Sequence, residues 1–159
     1  MIAMLENARV ASSSGRLAWD LADRIGEASA LFNAVLSDVV AATPLTVGEA
    51  IALVVLASAP AGRTQAGLGR ALGVSRQHAH ATVRRLRDLG LARGVRRGRE
   101  VAMLPTPRGE RLLEKARPAA EARLARAVSA LTAAERSALH GLCGRLVEVL
   151  ARDVARSDP

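Results

Sequence analysis

Residues 64–90 read TQAGLGRALGVSRQHAHATVRRLRDLG. This stretch predicts two short helices joined by a turn of three residues. Thr64 stands where an N-cap belongs, with a hydroxyl that can accept from a backbone N–H of the first turn. Ala66, Leu68, Ala71 and Leu72 follow as the apolar positions of a helix over 65–72. Gly73 suits the left-handed residue just past a helix end, which other side chains occupy at a cost. Ser75 caps a second helix over 76–89, and Gly90 closes it as Gly73 closes the first. The layout is a helix-turn-helix.

The second helix has two distinct faces. At about 100° per residue, Ala79, Val83 and Leu86 fall together and predict a buried stripe. Gln77, Ala81 and Arg84 lie opposite, with Arg76 and His80 on one flank and Arg85 on the other. An exposed helix face of guanidinium, amide and imidazole groups matches the base edges of the major groove, which is wide enough to admit a helix. Arginine pairs with guanine O6 and N7, and glutamine with adenine N6 and N7. Arg76 and Gln77 occupy the helix start, the end that enters the groove in such motifs. Arg85, Arg87 and the cap residues are better placed for phosphates, which position a protein without reading sequence.

Charge agrees with that reading. The 159-residue chain carries a net charge of +8, from 22 arginines, one lysine and 15 acids. Abundant arginine and alanine suggest coding bias, so placement is the better guide. Residues 63–99 hold ten arginines against a single acid, Asp88, giving +9, while the rest of the chain sums to −1. Bias alone would spread the charge; a local excess calls for a local anionic partner such as nucleic acid.

Outward from this centre the pattern is helical. Leu17, Leu21, Ile25, Ala28, Phe32, Val35 and Val39 predict one face of a long helix over 16–41, with Ser12–Ser14 as its cap. Thr46-Val47-Gly48-Glu49 is a capping box ahead of a nearly all-apolar helix to about Ser58, which is expected to be buried on every side. After Gly90, residues 91–104 predict a β-hairpin, with strands at 91–93 and 100–104 around a loop that runs from Gly94 to Arg99. A hairpin directly after a helix-turn-helix is a wing, and its Arg93, Arg96, Arg97 and Arg99 suit the negative potential of a minor groove. Thr106-Pro107 starts a helix to about Ala130 with a kink expected at Pro118. Thr132-Ala133-Ala134-Glu135 is a second capping box, and Leu139, Leu142, Leu146, Val149 and Leu150 stripe the last helix. The outer helices exceed what a small DNA reader needs, and a second copy of the chain is the simplest partner for their stripes.

In this order and spacing, residues 45–113 resemble the MarR family of winged-helix transcriptional regulators. The likeness rests on Leu45-Thr46…Leu56, Leu68…Leu72-Gly73-Val74-Ser75, Val83…Leu86, Gly90-Leu91…Arg93 and Thr106-Pro107-Arg108-Gly109, with Leu131-Thr132-Ala133-Ala134-Glu135 opening the last helix. The resemblance implies a mainly α fold with a small β-hairpin, and a homodimer joined by the first and last helices. It also implies recognition helices in successive major grooves of a pseudo-palindromic operator. Three regions follow: an N-terminal dimerisation helix (1–42), a winged helix-turn-helix (43–105; reader 76–89, wing 91–104) and C-terminal dimerisation helices (106–159). The residues expected at DNA are Thr64, Ser75, Arg76, Gln77, His78, His80, Arg84, Arg85, Arg96, Arg97 and Arg99. Two departures stand out. Many members place an acid two residues before a wing arginine, where this chain has Arg97-Gly98-Arg99 in a shorter wing. Ala81 stands where the family often has arginine.

Family members often release DNA when a small aromatic molecule binds beside the first helices. Trp19 and Phe32 are the only aromatic candidates for such an effector site. Cys143 cannot form an internal disulfide, which agrees with a reducing cytoplasm, and it reads as a small apolar residue rather than a sensor. No transmembrane segment is expected, because the longest uncharged run, 50–62, has 13 residues. Residues 1–10 lack the apolar core of a signal peptide. His78 and His80 lie two apart on a helix, hence on different faces, so no metal is expected. Neither a phosphate-binding glycine loop nor a carboxylate–histidine site is present, so neither cofactor nor enzyme activity is expected. The expected function is a ligand-responsive repressor in the cytoplasm, with double-stranded DNA and a second copy as partners. A non-specific architectural DNA binder is the alternative.

Overall fold

The computed structural model describes residues 2–157, with side chains from residue 15 to residue 153. Six helices and one hairpin follow in order among these residues: α1 (Ile2–Val40), α2 (Val47–Ala57), α3 (Gln65–Leu72), α4 (Arg76–Asp88), β1 (Ala92–Arg97), β2 (Glu100–Pro105), α5 (Pro107–Ala127) and α6 (Ala133–Ser157). The mainly helical winged-helix architecture expected from the sequence is present.

Local signals set most of the boundaries. Thr46 accepts from the Glu49 backbone N–H at 3.2 Å while the Glu49 carboxylate accepts from the Thr46 N–H at 2.9 Å. Thr132 and Glu135 repeat the exchange at 2.7 and 3.2 Å. There the Thr132 backbone bond, with its side-chain bond second, holds the Glu135 carboxyl below its ordinary pKa. Gly73 and Gly90 follow their helices at φ +64° and +68°, the left-handed conformation expected of them.

The buried apolar residues come from one part of the chain. Leu45, Ala52, Leu53, Leu56, Leu68, Val83, Leu86, Leu91, Ala92 and Met103 form a single cluster in which α2, α3, α4 and the hairpin meet. Val40 from the end of α1, and Leu112 and Leu113 from α5, pack against its edge. No residue of α1 or α6 is buried among those whose side chains are described.

Three elements differ from the sequence expectation. The first helix begins at Ile2 rather than at residue 16, so its backbone runs through Ser12–Ser14, which do not start it; their side chains lie outside the described set. Helix α2 is not buried all round, since only Ala52, Leu53 and Leu56 are enclosed and Val54 is 53% exposed. One turn-and-a-half of core contact needs one face, and the opposite face is simply apolar. The wing loop is much shorter than 94–99. Strand β1 continues to Arg97, and Arg97 pairs with Glu100 across a two-residue turn. Gly98 takes φ +62° at the first turn position, where tight hairpins favour glycine. Helix α5 continues through Pro118 and ends at Ala127.

One pairing was not anticipated. Arg63 forms an antiparallel bridge with Met103, with N···O distances of 3.0 and 2.7 Å in the two directions. Gly62 permits it: at φ +79°, any Cβ there would stand 3.0 Å from Ala102 Cβ and 3.1 Å from the Met103 carbonyl oxygen. The bridge ties the approach to α3 onto the wing.

The start of α5 is fastened to the end of α4. Thr106 N–H donates to the Leu91 carbonyl at 2.9 Å, and the Thr106 hydroxyl donates to the Gly90 carbonyl at 2.7 Å. The same hydroxyl accepts from Gly109 N–H at 3.2 Å. A Cβ on Gly109 would lie 2.2 Å from the Leu91 carbonyl oxygen. Gly109→Ala is therefore expected to destabilise the fold by about 3 kcal/mol, the upper range for overpacking against an immobile neighbour. Gly48→Ala, whose Cβ meets nothing within 4 Å, should be neutral or stabilising by up to about 1 kcal/mol. Urea-denaturation midpoints of the two variants check this; equal midpoints would contradict the close packing at Leu91.

Candidate nucleic-acid interface

Helix α4 presents the face that its periodicity predicts. Ala79, Val83 and Leu86 are fully buried, and Arg76, Gln77, His78, His80, Ala81, Arg84, Arg85 and Arg87 are exposed. Thr82 is also buried, at 8% exposure. Counting only apolar positions missed it, although it sits beside Ala79 and Val83 on the wheel. Its methyl group makes it a usable core residue next to the stripe.

The two cap residues are engaged as caps. Thr64 accepts from Gly67 N–H at 3.1 Å, and Ser75 accepts from His78 N–H at 3.2 Å. Both mark helix N-termini, where free backbone N–H groups and the helix dipole favour an anion. Ser75 is exposed and Thr64 half-buried.

Among the described residues, Arg76, Gln77 and Arg84 have no protein hydrogen bond or ion pair, so their donors stay available to an external partner. Arg85 is different, because its Nε lies 3.9 Å from a carboxylate oxygen of Glu49. His80 Nδ1 lies 3.4 Å from the side-chain amide of Gln65, at the start of α3. Gln65 was not among the expected site residues. Its only sequence signal is its place just after a cap.

On the wing, Arg93, Arg96, Arg97 and Arg99 are all exposed. Side chains alternate across a strand, so Arg93 and Arg97 share one face of the ribbon while Arg96 takes the other. Arg96 Nε donates to the Gly98 carbonyl at 3.5 Å, and none of the four has an ion pair among the described residues. Not all the local positive charge is free. Arg63 Nε donates to the Val55 carbonyl at 3.3 Å in a half-buried setting, which makes Arg63 part of the framework.

The structure does not unite the two aromatic residues. Trp19 is 75% and Phe32 47% exposed along α1, and neither lines a described cavity. An open cavity of about 220 Å³ instead lies between the turn before α2 and helix α5, lined by Pro44, Leu91, Arg108, Arg111, Leu112 and Lys115. Cys143 is exposed on α6. No described helix is long and apolar enough to cross a membrane.

The family model of the MarR family matches residues 43–99, the segment that holds α2, α3, α4 and β1. No curated protein matches the chain. Among solved structures, a probable transcriptional regulator from Pseudomonas aeruginosa is 26% identical, with 77% of this chain covering 92% of that one at a TM-score of 0.66. A MarR-family protein of Mycobacterium tuberculosis, in complex with salicylic acid, is also 26% identical over 77% of this chain and 92% of its own, with a TM-score of 0.62. A MarR-family transcriptional regulator from Listeria monocytogenes, complexed with a 26mer DNA, shares the fold at 22% identity, 82% and 88% coverage and a TM-score of 0.72.

The cap at Ser75 gives a direct check on how the reading face is held. Ser75→Ala leaves the His78 N–H without its partner and should cost about 1 kcal/mol of stability in urea denaturation. Ser75→Asp, which restores an acceptor, should recover most of it. A Ser75→Ala variant as stable as the parent would contradict the capping role.

Proposed function

We propose that this chain, whose residues 43–99 carry a MarR-family domain, is a transcriptional regulator that binds a pseudo-palindromic operator as a homodimer and represses by occupying it. The observation that carries the reading is the exposed face of α4. Three long donors, Arg76, Gln77 and Arg84, stand unpaired beside a capped helix-turn-helix and an arginine-rich wing. Such side chains have little to do in a monomer's own stability and much to do at base edges. His78 and His80 join them at the groove. Thr64, Ser75 and Arg85 meet phosphates, and Arg96, Arg97 and Arg99 meet the minor groove.

In this reading residues 43–105 contact DNA, while 1–42 and 106–159 hold two copies together. Exposed Leu17, Leu21 and Ile25 on α1, with Leu139, Leu142 and Leu150 on α6, support it. Apolar stripes of that length are rarely left in water. Two copies bring two segments of +9 to the operator, with half-sites about 10 bp apart.

A small-molecule effector is part of the proposal. The M. tuberculosis relative was solved with salicylic acid. In this chain the cavity beside Pro44 is lined by apolar Leu91 and Leu112 and by the cations Arg108, Arg111 and Lys115, a lining suited to a small organic anion. Trp19 and Phe32 on α1 are a second proposed location for the effector. Arg97, standing two residues before Arg99 where an acid would hold it, favours a second reading, a DNA binder with little sequence preference. Selectivity separates the two.

Arg84→Ala and Gln77→Ala should each change base preference at particular operator positions, by about tenfold. Arg96→Ala should weaken binding to all sequences alike and lower the salt slope by about one. Binding of each variant to a panel of single-base operator variants at several salt concentrations checks this. Uniform loss for all three would contradict the groove assignment.

A further inference from the structure

Among the described residues of the exposed face of α4, His80 contacts a side chain of α3, as Arg85 contacts one of α2. His80 lies one helical turn from both Arg76 and Arg84, in the same exposed row of α4. The amide nitrogen of Gln65, from the first turn of α3, faces its Nδ1 at 3.4 Å. With the amide nitrogen as the donor in this contact, Nδ1 is the acceptor. A neutral imidazole that accepts at Nδ1 carries its proton on Nε2, at the outer end of the ring.

We propose that Gln65 is a positioning residue for base reading: by holding Nδ1 it fixes the His80 ring and presents Nε2–H as a donor to the major groove. The inference rests on α4 being the groove helix and deepens that reading by naming the chemistry of one position. In the major groove, guanine offers N7 and O6 as acceptors, adenine N7 and thymine O4, whereas cytosine offers its N4 amino donor. The base facing His80 is therefore one with an exposed acceptor, and cytosine is excluded. Without Gln65 the ring turns freely and can carry its proton on either nitrogen. It then accepts from cytosine as readily as it donates to guanine. Gln65 thus acts on specificity from outside the reader helix and through a single side chain.

The test uses the full-length protein and a pool of randomised double-stranded DNA. Wild type, Gln65→Met, His80→Ala and the double variant each select from the pool. Gln65→Met keeps the length of the side chain and removes its amide. It should relax the exclusion of cytosine by about tenfold at one symmetric pair of positions and leave preference elsewhere unchanged. The double variant should match His80→Ala alone. Equal weakening on every sequence, unchanged selection, or additive effects of the two substitutions would each overturn the assignment. A second arm needs no DNA. Nitrogen-15 spectra of the free protein should show an unprotonated Nδ1 on neutral His80, and a protonated Nδ1 would overturn the assignment as well. A wild type that enriches no sequence defeats the DNA-reading account as a whole. Intact wild-type selectivity with the variants behaving otherwise defeats the role of Gln65 alone.

Discussion

Thr106 makes three hydrogen bonds at one place, and the join between the end of α4 and the start of α5 depends on them. Its N–H reaches the Leu91 carbonyl, its hydroxyl donates to the Gly90 carbonyl and accepts from the Gly109 N–H. One residue thereby satisfies two carbonyls at the end of α4 and one of the free N–H groups at the start of α5. Gly109 must lack a side chain for the two segments to come this close. The end of α4 and the start of α5 are thereby held together at one point.

Burial is divided unevenly along the sequence. The core cluster lies within Leu45–Met103, whereas α1 and α6 keep their apolar stripes exposed. Burying a single leucine side chain is worth about 1.5–3 kcal/mol, so several such residues left in water forgo a large part of what a small fold can gain. In the proposed dimer a second copy would cover these stripes, and α5 would link that interface to the two α4 helices. The cavity beside Pro44 touches Leu91, the residue on which Thr106 anchors.

The features legible in the sequence are those set within a few residues of the chain. Thr64, Ser75, Thr46 with Glu49 and Thr132 with Glu135 announce helix starts because their bonds close over three residues. The exposed face of α4 followed from its 3.6-residue period, since a helix this short with one apolar stripe can be placed only one way. Ser12–Ser14 show the limit of such signals: residues that favour a cap do not stop a helix already under way. Gly94 misled for another reason. Glycine marks turns, but it also marks close approach, and a Cβ at Gly94 would stand 2.9 Å from Val101 Cγ1 inside the ribbon. The Arg63–Met103 bridge joins residues forty apart, and the Gln65–His80 contact joins two helices. Neither has a local pattern to betray it. Arg63 also shows that counting charge overstates the free cationic surface, because one of the ten arginines donates to the Val55 carbonyl.

The central claim is that a dimer of this chain reads sequence through α4. Its most direct test is nuclease protection of the DNA just upstream of the chain's own gene, at about 150 mM salt and with excess unrelated DNA. The expected result is one protected site with two-fold symmetry that withstands competitor by about 10³ or more. Binding that competitor abolishes, with a steep salt dependence and no footprint on this or any genomic site, would contradict it and leave a charge-driven DNA binder in its place.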